Sequence, residues 1–147
     1  MLKIKNMKKA FSCQMCGECC KGRGGIWVTI DEIKAIADFL NMDEKTFIKN
    51  YCEMRYGHYY IKEKEENGEM VCIFLVDKSC AIHSCKPLPC RLWPYWRRIL
   101  SSELDWRIVM EFCPGINREV SFADFVKEGE AYRKKILQGK EDERRHL

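Results

Sequence analysis

The chain has 147 residues, 33% of them charged and 46% hydrophobic, with a formal net charge of +4. That length suits one domain and buries enough surface to fold without cross-links, so its ten cysteines ask for a chemical explanation. The sequence holds no apolar run near the ~18 residues of a membrane span, and its start, MLKIKNMKKAFSC, lacks the ~7–15-residue apolar core of a secretory signal. The expected compartment is therefore the cytoplasm. Thiols stay reduced there, and clustered cysteines serve metal or redox chemistry more often than disulfides.

In chain order, residues 1–12 read as a basic lead-in, residues 13–139 as one cysteine-cluster domain, and residues 140–147 as a solvated charged tail. The stretch CQMCGECCKGRGG opens the domain with Cys13, Cys16, Cys19 and Cys20, among glycines (Gly17, Gly22, Gly24, Gly25) that permit tight bends. Thr29 and Glu32 form a T-x-x-E capping box, followed by Ile33, Ile36, Ala37 and Leu40 at helical spacing. A second helix is expected from about Asp43, carrying Phe47, Ile48, Tyr51 and Cys52. Residues 59–76 read as a β-hairpin centred on Asn67-Gly68, a type I′ turn signal, with a returning strand from Val71 to Val76 buried on both faces. Residues 84–96 hold Pro87, Pro89 and Pro94 and are excluded from regular helix or central strand. Residues 97–112 read as two short strands around Ser101-Ser102. Ser121 and Asp124 open a last helix through Phe122, Phe125, Val126, Tyr132, Ile136 and Leu137, with Gly139 as its stop.

The spacing C-x₂-C-x₂-C at Cys13, Cys16 and Cys19 suits a loop folded around one metal centre, as in bacterial ferredoxins. Cys20 follows at once, and adjacent side chains diverge, so Cys19 and Cys20 are expected to point to different centres, in two sites or in one multinuclear site. Cys80 and Cys90 lie on turns that present ligands easily, and Cys113 precedes a proline, as cysteines at iron–sulfur sites often do. Cys72, in an apolar strand, and Cys52, beside Tyr51, read by themselves as buried core thiols.

The quartet CQMCGECC, with VCIFLVDKSCAIHSCKPLPCRLWPYW and CPGI, resembles the CxxCxxCC family, a zinc- or iron-chelating domain, from Cys13 to about Ile116. The resemblance implies eight ligands: Cys13, Cys16, Cys19, Cys20, Cys72, Cys80, Cys90 and Cys113. Cys52 and Cys85 fall outside the pattern. His83 stands where the family usually has tyrosine, and is read as a packing residue ahead of a supplementary ligand. Lys86 stands where arginine is usual.

The expected fold is a small metal-stapled α+β domain: several helices and a short antiparallel sheet around a cysteine-lined centre. Iron–sulfur is preferred to zinc, because zinc sites usually show two separated C-x₂₋₄-C pairs, whereas here one compact quartet is joined by scattered single cysteines. Trp27, Trp93, Tyr95 and Trp96 are expected to cover the centre. Eight thiolates and two divalent ions would bring the net charge to about zero, with Lys21, Arg23, Lys86, Arg91, Arg97 and Arg98 offsetting the sulfurs. The basicity then does not require a nucleic acid, although Lys86, Arg91, Trp93, Tyr95, Trp96, Arg97 and Arg98 together resemble a single-strand binder's mix of charge and aromatic faces. Metal ions are the expected partners, with a redox or cluster-dependent role ahead of a structural zinc domain or a storage and delivery protein. Larger proteins related to this family are described as lysine methyltransferases. This chain is short for such a catalytic domain and lacks a G-x-G-x-x-G run, so whether it is an enzyme stays open.

Overall fold

A computed structural model describes residues 9–21 and 25–147. Most of the basic lead-in, together with Gly22, Arg23 and Gly24, lies outside the described residues. The α+β class is as expected. The chain forms two compact units, one of residues up to Gln14 with Pro94–Leu147, the other of Met15–Trp93.

The Met15–Trp93 unit is built on a three-stranded antiparallel sheet, in the order β1 (Ile26–Val28), β3 (His58–Ile61), β2 (Cys52–Arg55). Two helices connect β1 to β2. Helix α1 (Ile30–Phe39) starts at a complete capping box: the Thr29 hydroxyl accepts from the Glu32 amide, and Glu32 accepts from the Thr29 amide. It buries Ile33, Ile36 and Ala37, the face that the helical period marks. Helix α2 (Glu44–Tyr51) is capped by Asp43 and buries Phe47. These residues join Val28, Cys52, Ile61, Phe74 and Ile82 in one core. Phe47 stacks on Phe74 at 6.2 Å between centroids, and Tyr51 on Phe74 at 5.1 Å. Each large apolar side chain fully buried in this way contributes roughly 1.5–3 kcal/mol.

Cys52 is not helical. It terminates α2 and begins β2. The expected hairpin over 59–76 is likewise shorter. Asn67 and Gly68 do form its turn, with φ of 52° and 81°, but only β4 (Glu63–Glu66) and β5 (Glu69–Cys72) pair across it. Residues 58–61 belong to the three-stranded sheet instead, where Ile61 faces both Ile26 and Cys52. The apolar run that was expected to continue the hairpin turns at Ile73 and Phe74 and enters a second small hairpin, β6 (Leu75–Val76) with β7 (Ser79–Cys80). Val76 is therefore exposed, while Val71, Phe74 and Leu75 are buried. The proline-rich stretch does contain one short helix, α3 (Leu88–Leu92). Pro87 caps it and Pro89 lies in its first turn, where the missing N–H costs no hydrogen bond.

The other unit is helical. Where the sequence reading has two strands, α4 (Arg97–Leu100) and α5 (Glu103–Phe112) stand. Ser102 caps α5, its hydroxyl accepting from the Asp105 amide at 3.1 Å. Trp106, Val109 and Met110 are buried at helical intervals. Helix α6 (Phe122–Leu137) is capped by Ser121 and ends at Gln138 in the left-handed region, one residue before the expected stop. Tyr95, Trp106, Phe122 and Phe125 form the aromatic centre of this unit, with Tyr95–Phe125 at 5.0 Å and Trp106–Phe122 at 5.5 Å. The lead-in enters this packing: Ala10 is buried, and Phe11 bridges to Ile116. The terminal run is not fully solvated either, since Arg144 and Leu147 are buried. No helix among the described residues is long and apolar enough to cross a membrane.

Candidate metal centre

Three local devices bring cysteines together in the Met15–Trp93 unit. The first is the loop after Gln14. Gly17 takes φ of 77°, and a Cβ there would lie 2.7 Å from both the Leu75 side chain and the Lys78 carbonyl oxygen. The loop thus lies directly on the β6–β7 hairpin, whose last residue is Cys80. The 3-10 turn Glu18–Cys20 follows, and Lys21 then bridges to Val71, next to Cys72.

The second device is the β6–β7 turn itself. Asp77 and Lys78 both adopt positive φ, which reverses the chain in two residues and sets Cys80 opposite Leu75. The third is α3, which carries Cys90. Its first amide, that of Leu88, donates to Glu32 Oε2 at 2.5 Å.

The result is a group of interacting thiols. Cys20 lies between Cys19 and Cys80 and is hydrogen-bonded to both. Holding that proton drives Cys20 strongly upward in pKa, and burial adds to the rise. The same bond lowers Cys80 to about 6, against burial and assisted by the Lys86 ammonium. It lowers Cys19 to about 7, also against burial and with Lys86 assisting. Burial lifts Cys72 to about 11, with the Cys80 and Cys19 sulfurs adding to the effect. Burial pushes Cys90 up further, aided by Cys72, Cys19 and Cys80. Five of the eight expected ligands therefore feel one another. Cys19 and Cys20 fall in one group, because the 3-10 turn and its contact with the hairpin leave Cys20 beside both Cys19 and Cys80.

Cys16 lies on the same loop and contributes to the field at Lys21. Cys13 and Cys113 belong to the helical unit. There the Ser12 amide donates to the Gly115 carbonyl at 2.9 Å, which lays their two segments side by side. Cys52 sits in the apolar core at 5% exposure, and burial raises it to about 11. Cys85, outside the family pattern, is raised by burial and then by the Cys80 sulfur, so it lies within the field of the group. His83 begins the 3-10 turn His83–Cys85; burial and then Lys86 lower its pKa.

No disulfide joins the ten cysteines, all of them described. Among the described residues, no three His, Cys, Asp or Glu side chains already surround one ion position. Were Cys20 to bind a metal, it would have to surrender its proton, the usual coupling of thiolate binding to proton release. The donor set itself, soft sulfurs beside one ammonium, suits zinc or iron.

Three of the four aromatic residues expected over the centre have partners of their own. Trp27 stacks on His58 at 3.9 Å, Tyr95 is buried in the helical unit, and Trp96 meets His146 edge-on at 5.8 Å. Of the expected counter-charges, Lys86 faces the thiols. Lys21 pairs with Glu18 at 3.0 Å and Arg98 with Asp105 at 3.5 Å, and Arg23 lies outside the described residues. Glu32 is a positioning residue that its capping-box motif alone did not reveal, since its second oxygen bonds an amide 56 residues away.

An uncharacterized protein of Methanocaldococcus jannaschii is 35% identical over 114 residues, 73% of this chain and 58% of that protein. The chain thus spans a little over half the length of that relative. No solved structure matches it. The family model CxxCxxCC, described as "Putative zinc- or iron-chelating domain", matches residues 12–114. That span exceeds half of the chain and contains the whole thiol group: the protein belongs to the CxxCxxCC family of metal-chelating domains.

Proposed function

We propose that the chain holds an iron–sulfur cluster through the thiolates of Cys19, Cys20, Cys72, Cys80 and Cys90, and that its role is redox or cluster-dependent. The observation that supports this reading is where the interacting sulfurs come from, since a closed zinc site and a cluster each take four ligands. Here five interacting thiols come from the loop, β5, β7 and α3, with Cys16 on the same loop. A cluster draws its thiolates from just such a loop plus distant turns. Bound there, it would supply one-electron chemistry. The chain's own part is to hold it and to offset thiolate charge with Lys86. Cys13 and Cys113 remain ligand candidates within the helical unit.

Anaerobic purification with iron, sulfide and zinc analysis tests this. Brown protein with broad absorption near ~400 nm, carrying iron and acid-labile sulfide, supports the proposal. Colourless protein with stoichiometric zinc overturns it in favour of a structural zinc domain.

A further inference from the structure

Among the described residues of the helical unit, the large hydrophobic side chains left exposed are Leu104 at 67%, Ile108 at 52% and Phe112 at 41%. All three stand on α5, four residues apart. At 3.6 residues per turn each step of four advances about 40° around the helix, so the three form one stripe. Trp106, Val109 and Met110, which α5 buries, lie on the opposite side. Exposed apolar residues scattered singly need no explanation, but a contiguous apolar face rimmed by charge marks an interaction surface.

The charges along the stripe indicate what covers it. Arg107 and Glu111 follow one edge, and both are largely exposed. Their present pairs, Arg107 with Glu103 at 2.9 Å and Glu111 with Arg118 at 3.6 Å, are surface pairs worth little. A second copy of α5 laid antiparallel on the stripe, with the two-fold axis beside Ile108, sets Ile108 against Ile108 of the second copy and Leu104 against Phe112 of the second copy. The same operation brings Arg107 of each copy to the edge that carries Glu111 of the other, about 3 Å apart along the helix axis. On the far edge Asp105 is engaged by Arg98 at 3.5 Å, and its symmetry mate lies about 9 Å away along the axis. The face is therefore complementary to itself in both apolar surface and charge, as an isologous dimer requires.

We propose that α5 is the interface of a reversible homodimer, in which two copies of the chain pair antiparallel through Leu104, Ile108 and Phe112. The interface needs no metal. The ten residues of α5 span about 15 Å, a face smaller than the ~800 Å² per partner of a standard interface. Association is accordingly weak, with a Kd on the order of 100 μM. Sedimentation velocity of the full chain tests it, from about 10 μM to about 1 mM, in reductant so that cysteines do not cross-link copies. The expected result is a shift from monomer to dimer across that range. Ile108→Lys, at an exposed position, should keep the wild-type melting temperature and stay monomeric. Arg107→Glu and Glu111→Arg should each raise the Kd about tenfold. The double variant Arg107→Glu/Glu111→Arg should return it toward wild type, because each copy then presents both reversed charges. A dimer that survives Ile108→Lys, or a double variant no tighter than either single one, would overturn the proposal. Monomer alone at the highest concentration would also overturn it and give the stripe to a different protein.

Discussion

One carboxylate, that of Glu32, accepts from the Thr29 amide at 2.9 Å through Oε1 and from the Leu88 amide at 2.5 Å through Oε2. The residue that closes the N-terminus of α1 therefore also satisfies an orphan donor at the start of α3, the helix bearing Cys90. Replacing Glu32 by alanine removes both bonds and should cost about 1–3 kcal/mol of stability. It should also speed metal loss to a chelator by freeing Cys90. Glu32→Gln keeps one acceptor oxygen and should fall between. Urea midpoints and chelator-challenge rates measure the two effects, and wild-type chelator resistance in Glu32→Ala would refute the link to Cys90.

Two glycines separate backbone freedom from close approach. Gly17 and Gly68 both have positive φ, 77° and 81°, but a Cβ on Gly68 would meet nothing within 4 Å. Gly68→Ala should cost only the left-handed penalty, about 1–2 kcal/mol. Gly17→Ala meets the Lys78 backbone as well, so it should lose more stability and reduce metal content. Denaturation with elemental analysis of the paired variants decides; equal metal content in both would mean that the loop can lift from the hairpin without harm.

Cys52 and Cys90 should behave oppositely. Cys52 lies among Val28, Ile33, Phe47 and Ile61 in an apolar core, so Cys52→Ala should keep its metal and lose on the order of 1 kcal/mol to the small cavity. Cys90→Ser should lower metal content and, because binding energy is folding energy in such domains, destabilise the metal-purified protein. Loss of metal from Cys52→Ala would show that the core thiol is reached by the site.

Asp142 accepts from Arg144 Nε at 2.7 Å and from its Nη2 at 2.9 Å, and these bonds hold its carboxyl below the ordinary 3.8. A depressed carboxyl adds stability that is fully present above the unfolded pKa and is lost as pH falls through the folded value. Asp142→Asn should therefore be less stable than wild type from neutral pH down to about pH 4, and the gap should close as acidity increases further. Melting temperatures across that range read it out; a gap that stays constant into strong acid would mean that the carboxylate charge plays no part.

Much of the local structure was legible because its causes are local. Thr29 with Glu32, Asp43 and Ser121 mark helix starts through side chains that reach amides two or three residues on. Asn67-Gly68 marks a turn because few other residue pairs tolerate positive φ twice. Misreadings arose where a short apolar segment fits either period: residues 97–112 carry β-branched and aromatic residues compatible with strands, and only burial of Trp106, Val109 and Met110 on one side makes them helical. The proline rule failed at α3 because both prolines fall where a helix begins, the place that tolerates them.

By itself the sequence determined which atoms are available for chemistry: an excess of soft sulfur donors in a spacing that chelates, and the family to which that spacing belongs. Which sulfurs meet was decided only by tertiary structure. The Gly17 approach to Lys78, the Lys21–Val71 bridge and the Glu32–Leu88 bond join segments that sequence separation keeps apart. Spacing along a chain constrains neighbours within a turn or two; it carries no information about contacts that exist only because an apolar core has already drawn distant loops together.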